Sequence, residues 1–322
     1  MSRMVSNVLG TVMTLVALGG LAVGGIQQLE NRVDHGVTRV DAAFPPESTR
    51  PPPEPEELTV LLLGQDWHPE TQEHGRSDAV ILLRVPAHRS SVMAVSIPRD
   101  SWVPLPGHGE GKINAALVLG GPALAVSAVE ELTGIRIDHV MLIDGDGFGT
   151  LTDVVGGVTV DIPETVYDNA RDITWVAGPH HLDGARALEY VGQRYGLPNG
   201  DLDRVRRHQN FLRALLTEFV GNAMPEDPLA LYGLVDAMSN SIVLDDEWSI
   251  DELRELAASL RYLEPPDLTF TTAPVSGLDQ VGGQSVVRLD PVRGDELWTA
   301  MRQDWAADWV RQQGVALSGP VA

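Results

Sequence analysis

Short apolar runs that end on charged residues form the most informative pattern in the first half of the chain. They cover residues 58–63, 79–85 and 92–97 and are rich in β-branched and aliphatic side chains. Strands that are apolar throughout are usually buried on both faces of a sheet. The ends of such strands are where a rigid scaffold meets a functional site. The pattern therefore predicts a buried sheet whose charged strand ends lie close together.

The later segments predict further strands and several helices, which together indicate an α/β fold. A helix is expected between Ile97 and His139, with Pro122 in its first turn and Gly134 at its C-terminal stop. Its small and aliphatic residues are typical of a helix that packs on a sheet. Further strands are expected at 138–143, 158–162, 268–272 and 286–289, and further helices at 182–190, from 201 onward, at 247–262 and at 295–309.

The N-terminal residues 1–29 carry a long apolar segment. Residues 8–26 are uncharged and almost wholly apolar, and the uncharged stretch from 4 to 29 is long enough to span a bilayer. Arg3 precedes it, which favours a cytoplasmic N-terminus. The segment predicts one transmembrane anchor, so the protein is expected in the cell membrane as a single-pass protein. A cleaved signal peptide is the alternative, because small residues in the run offer cleavage sites. Either interpretation places the rest of the chain outside the cytoplasm.

Proline content and periodicity divide the remainder of the chain. Several prolines between residues 45 and 55 forbid a regular helix, so residues 30–55 are predicted to be an extracytoplasmic spacer. The folded domain is expected over residues 56–309. Residues 310–322 are expected to form a loose tail.

Composition excludes several functions. The formal net charge of −22 argues against nucleic-acid binding, which needs a basic face. The absence of cysteine excludes disulfides and thiol nucleophiles. Lys112 is the only lysine, and the residues around it do not have the spacing of a phosphate-binding P-loop. Arginines crowd residues 186–213, which favours one specific anionic ligand.

The charged residues at the predicted strand ends have the composition of a metal–phosphate site. Asp66 follows the first apolar run, Asp78 precedes the second, and Arg99 and Asp100 follow the third. Carboxylates hold hard dications, and arginine forks bind phosphate oxygens at two points. On spacing alone, ordinary surface ion pairs at strand termini remain the other interpretation.

Four short motifs occur in a specific order: Gly64-Gln-Asp66, Arg76-Ser-Asp78, Ser96-Ile-Pro-Arg99-Asp100 and Lys112-Ile-Asn-Ala-Ala. In this order they resemble the LytR-CpsA-Psr family of cell-wall glycopolymer transferases. The paired glycines at 156 and 157 and the arginine-rich stretch extend the resemblance over roughly residues 56–303. It implies one domain with a central, mostly buried mixed β-sheet flanked by helices in an α/β/α sandwich. In the family, helices in the region of residues 98–138 and the sheet enclose an apolar tunnel for a polyprenyl tail; core packing is the alternative here.

The resemblance also implies an activity and a set of site residues. The expected activity is transfer of a glycopolymer from a polyprenyl-pyrophosphate carrier to peptidoglycan through a phosphodiester. Asp66 and Asp78 are expected to hold Mg²⁺ or Mn²⁺. The residues expected to bind the pyrophosphate are Arg76, Arg99, Arg194, Arg204, Arg207, His208 and Lys112, and those expected to act in catalysis are Arg99, Arg76 and Asp66.

Two positions depart from the family pattern. Gly192-Gln-Arg194 stands where the family has two arginines, and His208 stands where glutamine is common. Arg206 and Arg207 are candidates to replace the missing cation. The departure keeps a second interpretation open, in which the protein binds or senses polyprenyl phosphates without transferring a polymer.

Overall fold

A seven-stranded mixed sheet forms the centre of the protein. The computed structural model describes residues 37–54, 56–65, 75–193, 195–197, 201–218, 242–260 and 262–313. The strands are β1 (Thr38–Val40), β2 (Leu58–Gln65), β3 (Ser77–Val85), β4 (Val92–Ile97), β5 (Trp102–Leu105), β6 (Gly109–Lys112), β7 (His139–Ile143), β8 (Val158–Ile162), β9 (Val166–Asp168), β10 (Ile173–Trp175), β11 (Gly178–Leu182), β12 (Ile242–Asp245), β13 (Leu268–Thr272), β14 (Val275–Val281) and β15 (Gln284–Leu289). The central sheet has the order β1-β12-β7-β2-β3-β4-β13. The pairs β1–β12, β2–β7 and β4–β13 are parallel, and the other neighbours are antiparallel.

Helices cover both faces of this sheet. They are α1 (Ala115–Thr133), α2 (Gly145–Val154), α3 (Gly184–Val191), α4 (Asp201–Glu218), α5 (Ile250–Leu260), α6 (Pro291–Arg302) and α7 (Ala306–Gln312). Alternate residues of β2 point to opposite faces, as in any strand. Leu61 and Leu63 pack in the core formed with α1, α6 and α7. Leu62 packs against the hydrophobic clusters on the other face of the sheet, which include residues of α4 and α5. The sequence prediction of an α/β fold with a mixed central sheet is confirmed.

Local chemistry explains the shape of α1. Gly120 and Gly121 have non-helical backbone angles, so the helix consists of two segments. Pro122 begins the second segment, where its missing N–H would have no helical partner. Gly134 ends it with a left-handed φ of 63°. Among the described residues, α1 is the one helix long and apolar enough to cross a membrane, yet half of its apolar window is buried inside the protein.

Residues 37–50 belong to the folded domain, whereas the proline-rich sequence predicts a spacer there. Strand β1 pairs with β12 at the edge of the sheet. Ala43 is fully buried in the core. The Arg50 guanidinium lies 3.0 Å from a carboxylate oxygen of Glu130, and both side chains are only 4% exposed. The prolines exclude a regular α-helix here but do not prevent the segment from docking on the domain. The predicted anchor at residues 1–29 lies outside the described residues.

The C-terminal end is also more ordered than the sequence predicts. The helix expected at 295–309 is two helices, α6 and α7. Pro291 opens α6, and Asp290 caps it by accepting hydrogen bonds from two backbone N–H groups. Val310, in α7, is fully buried. The predicted tail at 310–322 therefore overlaps the folded domain by at least residues 310–313.

Candidate active site

The charged strand ends predicted from the sequence lie at one edge of the sheet. Strand β3 is antiparallel to both of its neighbours, so its beginning adjoins their ends. Ser77 lies opposite Gln65 at the end of β2, and Val80 lies opposite Ile97 at the end of β4. Strand β7 runs parallel to β2 and ends at the same edge, where Asp144 follows it. Side chains from several separate chain segments therefore converge here.

Asp78 and Arg99 meet at this edge. The Arg99 Nη1 group donates a hydrogen bond to Asp78 Oδ1, and both side chains are about three-quarters buried. Asp100 continues the series, with Oδ1 2.8 Å from Lys112 Nζ and Oδ2 4.0 Å from Arg99 Nε. The four side chains alternate in charge. Each cation is therefore held in place by a carboxylate.

The backbone that carries Arg99 is fixed by hydrogen bonds to other elements. Asn114 N–H donates to the Arg99 carbonyl oxygen at 3.1 Å, and Val287 N–H donates to that of Asp100 at 2.9 Å. Pro98 precedes the pair and restricts the backbone as β4 ends. Arg99 thus leaves the end of a buried strand from a rigid turn.

A cavity of about 580 Å³ opens between this edge and the helices on the α4 face of the sheet. Such a volume is typical of a ligand site. The described residues that form its apolar wall are Leu62, Ala79, Ile81, Ile143, Phe148, Leu151, Leu188, Val191, Phe211, Leu212 and Leu215. The described polar residues that line it are Gln65, Asp78, Asp144, Arg171, Tyr195, Arg204 and His208. The cavity joins a long apolar surface to a group of charged side chains.

The cavity lies on the face of the sheet opposite to α1. Its helical lining residues come from α2, α3 and α4. The small and aliphatic residues of α1 instead pack in the hydrophobic core on the other side of the sheet. Of the two alternatives for α1, tunnel wall or core helix, the structure shows the core helix.

Helix α4 brings Arg204 and His208 to the cavity, one turn apart. Residues four apart share one face of a helix. Arg204 is only 3% exposed to solvent. Burying a guanidinium is costly unless polar or anionic groups compensate for its lost hydration. His208 Nε2 lies 3.0 Å from the Val191 carbonyl oxygen, which ties α4 to the end of α3.

Arg207 has a different environment from the one predicted. Its guanidinium carbon lies 4.6 Å from the ring centroid of Tyr190, and its Nη1 donates to the Tyr190 carbonyl oxygen at 3.3 Å. Burial lowers the pKa of Arg207 and raises the pKa of Tyr190. Arg206 is exposed and pairs with Asp203 at 3.0 Å. Arg207 thus packs on Tyr190, and neither Arg206 nor Arg207 is among the described residues that line the cavity.

The other predicted site residues differ in where they lie relative to the cavity. Lys112 reaches the site indirectly, through Asp100. Arg76 is exposed just before β3 and is not among the described residues that line the cavity. Asp66 and Arg194 lie outside the described residues.

A magnesium ion is compatible with the part of the site that the structure describes. Within those residues, no group of three or more His, Cys, Asp or Glu side chains could hold a metal. Magnesium at phosphate sites, however, commonly takes one or two carboxylates and completes its shell with water and phosphate oxygens. The Asp78 carboxylate lines the cavity and fits such a minimal site.

Sequence reasoning missed two charged residues of the cavity. Asp144 directly follows the apolar strand β7, just as Asp66 follows β2 in the sequence. The position of Asp144 after an apolar run could therefore have marked it as a site residue. It also caps α2, since its Oδ1 accepts a hydrogen bond from Gly147 N–H at 2.7 Å. Arg171 gave no local signal. It follows β9 in a short hairpin, and only tertiary packing brings it to the cavity.

Comparison with known proteins identifies the family. The family model described as "LytR_cpsA_psr family" matches residues 30–303. The chain is 34% identical over 263 residues to the cell wall biosynthesis protein LcpA of Corynebacterium glutamicum, covering 73% of this chain and 49% of that protein. It is 34% identical over 194 residues to the polyisoprenyl-teichoic acid–peptidoglycan teichoic acid transferase TagU of Enterococcus faecalis, covering 59% and 63%.

A solved structure agrees with this assignment. The LytR-Csp2A-Psr enzyme from Actinomyces oris is 25% identical, with a TM-score of 0.66, and the match covers 82% of this chain and 95% of that one. The chain spans about half the length of the first curated relatives it matches. Because the family model matches most of the sequence, the motifs occur in the family's order and the fold is shared, the chain belongs to the LytR_cpsA_psr family.

Proposed function

We propose that the protein is an extracytoplasmic phosphotransferase that moves a glycopolymer from a polyprenyl-pyrophosphate carrier to peptidoglycan, forming a phosphodiester. The observation that carries this proposal is the cavity, in which an apolar wall ends at Asp78, Arg204 and His208. A lipid-linked pyrophosphate has the complementary shape, with an apolar tail attached to a compact anion.

The apolar wall supplies the affinity for the tail. Burial of apolar surface contributes about 25 cal/mol per Å². Side chains from β2, β3, β7, α2, α3 and α4 form this wall, so the tail would lie between the sheet and the helices. The pyrophosphate would then lie at the charged strand edge, because that is where the wall becomes polar.

The charged residues would serve the transfer step. Phosphoryl transfer is catalysed mainly by positioning and by neutralising charge on phosphate oxygens. Arg204 offers a planar fork for those oxygens, and Arg99 holds the Asp78 carboxylate in position. Asp78, together with Asp66, would hold Mg²⁺ or Mn²⁺, which would supply further charge neutralisation. Asp66 is also our candidate base for the acceptor hydroxyl.

The relatives support the same class of reaction. The Enterococcus faecalis relative is named a transferase that acts between a polyisoprenyl-linked teichoic acid and peptidoglycan. The Corynebacterium glutamicum relative is named a cell wall biosynthesis protein. The first name fits a carrier-linked polymer as donor and peptidoglycan as acceptor, and the second fits a role in building the cell wall.

A transfer assay tests the proposal. Full-length protein in detergent is mixed with a polyprenyl-pyrophosphate-linked glycopolymer, Mg²⁺ and peptidoglycan, and mass spectrometry detects polymer joined to peptidoglycan fragments through phosphate. Transfer by the wild type and its loss in Asp78→Asn are expected. Binding of the donor without any transfer would contradict the proposal and favour the sensing interpretation.

Membrane anchoring is part of the proposal, because the donor resides in a membrane. Residues 1–29 would form the anchor. The full-length protein should then remain with membranes after a high-salt wash. A mature N-terminus between residues 20 and 28 would instead identify a cleaved signal peptide.

A further inference from the structure

Arg171 is a cavity residue with a fixed position. Its Nη1 group lies 2.9 Å from Asp168 Oδ2, and its Nη2 group donates to the Gly192 carbonyl oxygen at 3.1 Å. The Asp168 side chain is fully buried, so this anchor is part of the core. Because the guanidinium is held from two chain segments, it is oriented before any ligand arrives.

Gly192 leaves the space that this guanidinium occupies. A Cβ atom at position 192 would lie 2.9 Å from Arg171 Nη2 and 2.7 Å from the Leu188 carbonyl oxygen. Both separations are shorter than ordinary contacts. A side chain at position 192 would therefore require both the Arg171 guanidinium and the Leu188 carbonyl group to move from their observed positions.

The guanidinium remains open to a ligand. Arg171 lines the same cavity as Asp78 and Arg204, and its side chain is 37% exposed. An arginine carries five N–H donors in a planar fork. Asp168 and Gly192 use two of them, so the others can serve an anion in the cavity.

We propose that Arg171 is a phosphate-binding residue of this cavity and that Gly192 lacks a side chain in order to seat it. The proposal rests on the proposed function, since it takes the anion to be the carrier pyrophosphate. The competing interpretation is structural: Arg171 merely ties the β9–β10 hairpin to the end of α3.

Titration with a prenyl pyrophosphate separates the two interpretations. Full-length protein in detergent is titrated calorimetrically with geranylgeranyl pyrophosphate and, in parallel, with the uncharged alcohol geranylgeraniol. Arg171→Gln should weaken pyrophosphate binding by about tenfold or more, because it removes charge-assisted hydrogen bonds. Binding of the alcohol should not change. Arg171→Lys keeps the cation but loses the fork, so its affinity should lie between those of the wild type and Arg171→Gln.

Arg288 provides a matched control. It is 40% exposed and pairs with an aspartate at 3.0 Å, much as Arg171 does, but in the β14–β15 hairpin. Arg288→Gln should bind the pyrophosphate like the wild type.

Melting temperatures of the same preparations complete the experiment. Wild-type pyrophosphate affinity in Arg171→Gln, with or without a lower melting temperature, would overturn the inference and leave the proposed function intact. If Arg171→Gln and Arg171→Lys melt at the same temperature but bind the pyrophosphate with different affinities, the result supports the inference. If the wild type binds the alcohol as tightly as the pyrophosphate, the proposed function itself is contradicted.

Discussion

At the scale of single residues, the site depends on how each cation is held. Arg99 contacts the Asp78 carboxylate, and Asp100 holds Lys112. These contacts orient the cations at the strand edge. If one of these residues loses its charge, the side chain that it contacts is therefore expected to change its position.

Arg99→Lys should lower transfer by about tenfold or more, and Arg99→Ala should lower it further. The planar fork directs an N–H group at the Asp78 carboxylate and so fixes that carboxylate at the cavity, whereas a lysine ammonium is a point charge without this geometry. The loss of a charge-assisted hydrogen bond of roughly 1.5–3 kcal/mol gives this factor. The measurement is transfer per folded molecule alongside the melting temperature. If the Arg99→Ala protein melts at a lower temperature but keeps full transfer activity, Arg99 has only a structural role.

Asp138 should make stability fall as the pH rises. Burial raises the pKa of this carboxyl, although its Oδ2 accepts a hydrogen bond from Thr59 N–H at 2.8 Å. Between the unfolded pKa, near 4, and the higher folded pKa, the folded state binds more protons, so stability decreases with pH. Asp138→Asn should therefore melt at a higher temperature than the wild type at pH 7 and gain little at pH 4.

A matched pH series provides the check. Asp279 is an exposed carboxylate whose pKa is lowered, first by a hydrogen bond from Gln280 N–H. Asp279→Asn should show no gain at pH 7. Identical melting curves for the wild type and Asp138→Asn across pH 4–7 would show that burial does not destabilise the charged carboxylate.

At the scale of elements, the segment before β2 contributes to stability. Arg50→Ala should lower the free energy of unfolding by about 3–5 kcal/mol, because it leaves the buried Glu130 carboxylate without its cation. Denaturant unfolding measures this loss. Glu47→Gln is the control within the same segment, since the Glu47 side chain is 68% exposed, and its effect should stay within about 1 kcal/mol. Equal effects of both changes would show that the segment does not stabilise the domain through this pair.

The sequence predicted those elements whose signals are local. The buried strands are continuous apolar runs, and Pro122 and Gly134 mark backbone conformations that their own chemistry favours. Strand β1 was missed because it is three residues long and its partner, β12, lies some 200 residues later in the chain.

The same limit applies to the site. Helical spacing predicts that Arg204 and Arg207 share one side of α4, but spacing could not show that Arg207 would pack on the Tyr190 ring. Asp78 and Arg99 were predictable because strand ends converge. Arg171 depends on the packing of a hairpin against Gly192, which no local pattern records.

At the scale of the whole molecule, the two helical layers differ in how they pack on the sheet. Helices α1, α6 and α7 fill a hydrophobic core on one face of the sheet. On the other face, α2, α3 and α4 leave a cavity that ends at the charged strand edge. The chain as a whole carries a net charge of −22, yet arginines line this cavity. This arrangement underlies our proposal that the cavity holds a polyprenyl carrier.

Identification of the lipid bound to full-length protein purified from membranes tests that claim most directly. Leu151→Trp narrows the cavity, while Leu132→Trp places the same bulk on α1 at a position that is also partly buried. Mass spectrometry should find a polyprenyl phosphate or pyrophosphate lipid with the wild type and Leu132→Trp, at several-fold lower occupancy in Leu151→Trp. No polyprenyl lipid in any sample, or equal amounts in all three, would contradict the account.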